Sequence, residues 1–196
     1  MRIRSSKVVV FLLTFFILLS QVFTSSFALA DNKVPFTIFH TNDMHGRLGY
    51  EEYKGKPSSF GSAREKALID KEKKENPDRT VIALDAGDAF QGLPVSNQSK
   101  GQDMAKAMNE IGYKAMAAGN HEFDFGLDTV EKYKNNPQNG GWLNFPILST
   151  NVYKDGKRLF EPSTIINENG VKIGIVGVTT PETATKTNPT GIKGVT

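Results

Sequence analysis

The residues of this chain best suited to chemistry fall in three short polar clusters. Asn42-Asp43-Met44-His45-Gly46 is the first, Asp85-Ala86-Gly87-Asp88 the second, and Gly119-Asn120-His121-Glu122-Phe123-Asp124 the third. They offer carboxylates, imidazoles and an amide oxygen, a donor set that suits a hard or borderline divalent ion, with glycines that let backbone pass close. The chain has no Cys, which excludes a structural zinc site built on thiolates. Asp43 and His45 stand two apart, so an extended segment would turn both side chains to one side, able to grip a single ion. Asp88 has two carboxylate oxygens and could bridge a pair of ions, which two-metal hydrolases hold roughly 3.5–4 Å apart. Of the three histidines, His45 and His121 lie in the clusters, while His40 sits in an apolar run and reads as a strand residue.

The elements that must position these clusters alternate in type. Phe36 to Thr41 reads as a buried strand, Thr80 to Leu84 as a second and Tyr113 to Ala117 as a third. Between them lie a helix starting at Ser62, where Ser62 and Glu65 form a capping-box pattern, and a helix over Met104 to Ile111 with apolar residues at Met104, Ala107, Met108 and Ile111. The charge run from Lys71 to Glu75 is the first helix's solvated end. Leu127 to Tyr133 reads as helix, Pro146 to Ser149 as a fourth strand, and Thr164 to Ile166 with Val171 to Val178 as a pair turning at Asn169-Gly170. This order predicts an α/β layered sheet, and in such sheets the carboxyl ends of strands converge on one crevice. Each cluster alone reads as an ordinary turn or loop. All three follow predicted strands, so they would face one another.

At this point the residues resemble a known family. Asp43-Met44-His45, Gly87-Asp88 and Gly119-Asn120-His121-Glu122 are similar, in order and spacing, to the first three motifs of the calcineurin-like metallophosphoesterases. The longer runs His40 to Gly46, Asp85 to Asp88 and Gly119 to Gly126 resemble its secreted branch of 5′-nucleotidases and 2′,3′-cyclic-nucleotide phosphodiesterases, across roughly Val34 to Pro181. The resemblance implies an αββα sandwich, two divalent ions of the zinc, manganese or cobalt type, and hydrolysis of nucleotide or other small phosphoesters by metal-activated water. It implies that Asp43 and His45 bind one ion, Asp88 bridges both and Asn120 binds the second. It makes His121 the catalytic histidine, held by Asp124, an i, i+3 pairing that one helical turn would allow. Glu122 and Asp85 fit supporting positions better than ligand positions, and Asn151 matches a family position near the site.

The departures matter as much. Family members add histidines from two downstream loops, and this chain has none after His121. The separate nucleoside-recognising domain of the branch has no counterpart either. The expectation is therefore the N-terminal part of a larger enzyme, residues 31–196 of the mature chain, weak or inactive alone. Two alternatives stay open: a non-catalytic secreted remnant that binds metal or nucleotide, and a related hydrolase of sulfur esters.

The first thirty residues read as an address. Arg2, Arg4 and Lys7 precede the apolar run Val8 to Leu19, and Ala28-Leu29-Ala30 supplies small residues for cleavage, the pattern of a secretory signal peptide. The run is short for a membrane span. Export to the cell envelope or medium follows, with no lasting membrane span. The 24 Lys+Arg exceed the 21 Asp+Glu only through Arg2, Arg4 and Lys7, so the mature chain is neutral and carries no electrostatic case for a nucleic-acid polymer. Asn97-Gln98-Ser99 is a glycosylation-type triplet, and Thr179 to Thr196 reads as a Thr-, Pro- and Gly-rich tail with no closing element.

Overall fold

Aromatic and β-branched residues after Pro35 form β1 (Phe36–Thr41). The computed structural model describes residues 33–134 and 136–196, and the signal-peptide reading of residues 1–30 lies outside them. A small hairpin follows, β2 (Glu51–Tyr53) with β3 (Lys56–Ser59), and leads into α1 (Ser62–Glu75). Next come β4 (Thr80–Asp85), a single turn α2 (Pro94–Asn97), α3 (Gln102–Ile111) and β5 (Tyr113–Ala117). After a 3-10 turn at His121–Phe123 the chain continues through α4 (Leu127–Lys134), β6 (Ile147–Leu148), and a two-residue-strand hairpin of β7 (Tyr153–Lys154) and β8 (Lys157–Arg158). It ends with the hairpin β9 (Ser163–Glu168) and β10 (Val171–Val176), the short helix α5 (Thr183–Lys186) and a 3-10 turn.

The sheet runs β1-β4-β5-β6, every neighbouring pair parallel. Five of the six residues of β4 are buried, as a central parallel strand covered on both faces requires. Val81 and Ala83 face the cluster that holds Ile69 of α1, Met104 and Met108 of α3, and Val130 and Tyr133 of α4. Tyr133 stacks on Phe90 at 4.1 Å between ring centroids and donates its hydroxyl proton to the Lys100 carbonyl, so its one polar atom is satisfied inside the core. β9 packs against β4. Helix α3 lies between two left-handed glycines. A side chain at Gly101 would collide with Phe90, its Cβ 2.5 Å from that of Phe90, and Gly112 returns its N–H to the Met108 carbonyl to close the last turn.

The α/β class with a parallel sheet agrees with the sequence pattern, and three local expectations change. Ser62 does not cap α1: Gly61 holds that position without a side-chain bond, the buried Ser62 hydroxyl has no partner, and Glu65 turns instead to the Tyr113 hydroxyl. A tertiary partner for Glu65 outcompetes the local box. β1 is not fully buried, since Phe36 is 37% and Ile38 49% exposed, because β1 is the edge of the sheet among the described residues. The tail from Thr179 is structured, folding into α5 and a 3-10 turn. Asn97 of the glycosylation-type triplet spends both ends of its amide on the main chain of Gly92. Among the described residues no helix is long and apolar enough to cross a membrane.

Met108 is fully buried at the centre of α3. Met108→Ala is expected to cost about 2–5 kcal/mol, read as a lower urea midpoint at unchanged slope.

Candidate metal centre

Asp85 ends β4, and the loop beyond it is sewn to the loop beyond β1. The parallel ladder continues past the strand ends through Ala86 N–H to Thr41 O at 2.8 Å, then Asp43 N–H to Gly87 O, His45 N–H to Asp88 O and Gly46 N–H to Ala89 O, each at 2.9 Å. To make these bonds the chain adopts left-handed backbone at Asp43 (φ 53°), His45 (φ 47°) and Asp88 (φ 60°). Left-handed backbone is costly for residues other than glycine and concentrates where function demands it. The reason given from sequence for Asp43 and His45 to share a side therefore changes: the segment is coiled, not extended. The result is that one ligand atom from each of Asp43, His45 and Asp88 lies within 4.8 Å of the others, a group able to hold a metal ion.

The third cluster closes on the same spot. Gly87 and Gly119 touch through their backbones, and a Cβ on Gly119 would sit 2.3 Å from an Asp88 carboxylate oxygen, so only glycine admits the approach. The His121 N–H donates to Asp88 Oδ1 at 2.8 Å. Asn120 is buried, and its amide nitrogen donates to the Lys186 carbonyl at 2.6 Å, which leaves Oδ1 as the end available to a cation. The His121 ring packs edge-on against His45 with centroids 5.2 Å apart.

Both imidazoles have a defined tautomer. His45 Nδ1 lies 2.9 Å from the Gln91 carbonyl, which can only accept, so Nδ1 bears the proton and Nε2 is the free ligand atom, 3.6 Å from Asp43 Oδ1. His121 Nδ1 lies 2.6 Å from Asp124 Oδ2, again leaving Nε2 free. Burial alone would lower the His121 pKa, but the Asp124 hydrogen bond and charge, with Asp88 and Glu122 behind them, raise it above the ordinary imidazole value. Burial opposes ionisation of Asp124 too and is outweighed by the Thr187 hydroxyl, His121 and the Asn188 N–H, which hold its carboxyl below the usual range. The oxygen and nitrogen donors free to face a cation, with no sulfur among them, fit a divalent ion of the hard or borderline kind. An open depression of about 420 Å³ beside them includes Gln91, His121, Asp124 and Lys186 in its walls. A second, of about 510 Å³, lies on the other flank of Asp43 and His45, against Phe60 and Glu65.

Glu122 and Asp85 stand outside the ligand group and hold it. Glu122 is fully buried, and its carboxylate accepts the N–H groups of Asp88 at 2.8 Å, Ala89 at 2.9 Å and Gly119 at 2.7 Å. Burial pushes its carboxyl up to about 7 against those donors. Asp85 accepts the Gly87 N–H at 2.8 Å and contacts Thr41 Oγ1 at 2.6 Å, which meets the Tyr113 hydroxyl at 2.6 Å, which in turn meets Glu65. Three side-chain hydrogen bonds along this row need three protons, and the two hydroxyls supply two. A proton on Asp85 or Glu65 completes the set, and burial raises both carboxyls, Asp85 to about 7. Asn151 is tied to Thr179 through both ends of its amide. His40 is on β1, outside the Asp43, His45 and Asp88 group. Sequence reasoning missed Gln91, which acts through its backbone carbonyl, and the Lys186-Thr187-Asn188 run. Gln91, Lys186 and the Asn188 N–H act through main-chain atoms, which leave no residue-type signal, and the Thr187 hydroxyl lies in a Thr-rich tail where nothing local singles it out.

The fold and site define a parallel-sheet α/β scaffold with a candidate divalent-metal centre at its strand ends. Residues 36–188 match the calcineurin-like phosphoesterase family, and the chain belongs to it. It is similar to the 5′-nucleotidase of Vibrio cholerae, 42% identical over 170 residues that make up 85% of this chain and 29% of that protein. It is also similar to the protein UshA of Escherichia coli, 36% identical over 96% of this chain and 33% of that one. The crystal structure of a 5′-nucleotidase precursor from Thermus thermophilus superposes with a TM-score of 0.66 at 34% identity, over 81% of this chain and 31% of the other. The chain thus spans about a third of the length of the curated relatives it matches.

Two outcomes are expected. Glu122→Leu strands three buried N–H groups at about 1–3 kcal/mol each, so it should lower the unfolding free energy by several kcal/mol in urea titrations. The Asp85 carboxyl lies above its unfolded value of 3.8, so the folded state binds a proton that the unfolded chain has released. Its stabilisation is complete below pH 3.8 and disappears as pH rises through about 7. With chelator present, stability should fall across that window, and Asp85→Asn should flatten the fall.

Proposed function

We propose that residues 31–196 supply the N-terminal metal and histidine loops of an exported phosphoesterase that hydrolyses nucleotides, with 5′-mononucleotides or 2′,3′-cyclic nucleotides as its substrate class. The reading rests on one observation above the rest: three ligand atoms from Asp43, His45 and Asp88 converge within 4.8 Å, beside the ring of His121. The Vibrio relative is a 5′-nucleotidase, which supports the substrate class, and the basic, apolar, small-residue pattern of residues 1–30 supports export.

Asp43 and His45 would hold one divalent ion, Asp88 would be shared between two, and Asn120 Oδ1 would serve the second. When bound, such ions supply Lewis acidity: they neutralise phosphoryl oxygens and lower the pKa of water. The chain's own residues do the rest. The Gln91 carbonyl keeps His45 Nε2 turned toward the ligand group. Asp124 keeps the proton of His121 on Nδ1 and favours a second proton on Nε2. That second proton is the one delivered to the leaving oxygen, or shared with charge that develops on phosphorus oxygens. The depression that includes His121 and Lys186 is open and polar, suited to a hydrated phosphoester.

The test, made on the full-length phosphoesterase to which these loops would belong, is phosphate release from 5′-AMP and 2′,3′-cyclic AMP with added manganese, cobalt or zinc, metal content being measured in parallel. His121→Ala should lower turnover about 10²–10⁴-fold while leaving metal content nearly unchanged. Asp88→Ala should remove both metal and turnover. Unchanged turnover in His121→Ala would defeat the assignment. Metal binding without any release would make the chain a binding protein instead.

A further inference from the structure

Three consecutive residues at the end of α5, Lys186 to Asn188, reach back more than sixty positions to the third cluster. The Lys186 carbonyl accepts from Asn120 Nδ2 at 2.6 Å, and the Thr187 hydroxyl donates to Asp124 Oδ1 at 2.6 Å. The Asn188 N–H donates to the same Asp124 oxygen at 2.9 Å. The opposite oxygen of Asp124, Oδ2, is the one that takes His121 Nδ1–H. A carboxylate with one oxygen held by two donors cannot rotate about its Cβ–Cγ bond without losing both, so its second oxygen stays within hydrogen-bond reach of His121 Nδ1. Hydrogen bonds to an ionised acceptor are among the stronger ones, which makes this restraint effective even at a half-exposed position.

We propose that residues 186–188 form a clasp and that Thr187 is a positioning residue: its hydroxyl fixes Asp124 so that His121 is held as the Nδ1–H tautomer, with Nε2 turned to the substrate. The inference rests on the reading of His121 and Asp124 as a working pair. The residue type at 187 is what matters. Thr187 caps α5 in an extended conformation (φ −131°, ψ 172°) that any residue adopts, so the backbone does not select threonine there. Lys186 contributes only its carbonyl, its ammonium going to Glu182 at 2.7 Å. Asn188 donates its main-chain N–H to Asp124, and its side-chain oxygen accepts from Thr190 N–H at 3.1 Å at the start of the last 3-10 turn. Asn188 Nδ2 reaches only the main-chain carbonyl of Asp124, at 3.5 Å, so the hydroxyl of Thr187 is the one polar side-chain atom of the clasp bonded to the Asp124 carboxylate. The same three residues also orient Asn120, so the amide proposed for the second ion and the carboxylate that steers His121 are set by one short piece of chain.

The experiment is the imidazole 15N and 1H spectrum of the metal-free 196-residue chain, at a pH where the ring is neutral, in wild type, Thr187→Val, Thr187→Ala and Thr187→Ser. Only three histidines contribute, His40, His45 and His121. The wild type should show His121 with a slowly exchanging, downfield Nδ1 proton. Thr187→Val and Thr187→Ala should lose that resonance to solvent exchange and mix the two tautomers, while Thr187→Ser should retain it, with thermal midpoints recorded alongside. Loss of the signal in the serine variant as well would overturn the proposal, because bulk and not the hydroxyl would then be responsible. Retention of the signal in both Val and Ala variants would overturn it too, leaving the pair intact. Absence of the signal in wild type would overturn the pair itself, and with it both readings.

Discussion

The buried carboxylate of Glu122 is the contact on which the rest of the site depends. It sits with no exposed surface and takes three backbone N–H groups, two from the loop after β4 and one from the loop after β5. A charged group in such a place is costly unless its hydrogen bonds are complete. Here completion requires that Asp88, Ala89 and Gly119 stay where they are. The cost of exposing or abandoning that carboxylate is what keeps two loops in register before any ion arrives. Asp88 is held by its own N–H from one side and, through its carboxylate, by the His121 N–H from the other.

The backbone of the candidate ligand residues makes sense in that light. Asp43, His45 and Asp88 all occupy left-handed conformations, each disfavoured for a residue with a side chain. The strain is offset by the run of main-chain hydrogen bonds that extends the β1–β4 ladder beyond the strands. Glycines at 87 and 119 make the close approach possible, since a Cβ at either would fall within 3 Å of the other loop. The site is therefore prepared by the fold: strand ends aim the loops, glycines let them touch, and one buried acid pins them. Preparation of this kind lowers the reorganisation needed when charge develops on a substrate.

Around this centre the polar residues divide by the atoms they can spare. Gln91 and Lys186 act through main-chain oxygens, Asn188 through its N–H and its side chain, and Thr187 through its hydroxyl. A row of side-chain contacts runs from Glu65 through Tyr113 and Thr41 to Asp85. It ties helix α1 to the ends of β1 and β4. The same row explains why Glu65 is absent from the start of α1 as a cap: a buried tyrosine offers it a better partner than a solvated helix end.

Much of this was legible in the sequence. The alternation of strands and helices along the chain, the buried face of α3 and the three clusters with Asp43, His45, Asp88, Asn120, His121 and Asp124 follow from residue type and period, because the hydrophobic pattern and the special chemistry of Asp, His and Gly are local properties. The apolar side that Ala63, Ala67 and Leu68 suggest for α1 is instead exposed, and Ile69 is the apolar residue buried there. The lack of Cys also excluded thiolate chemistry. Tertiary structure decided what local pattern cannot encode: the left-handed turns that bring Asp43 and His45 together, the tautomers set by Gln91 and Asp124, and the return of residues 186–188 onto Asp124. Those depend on which backbone atoms meet across dozens of residues. A main-chain carbonyl or N–H looks the same at every position until the fold chooses its partner.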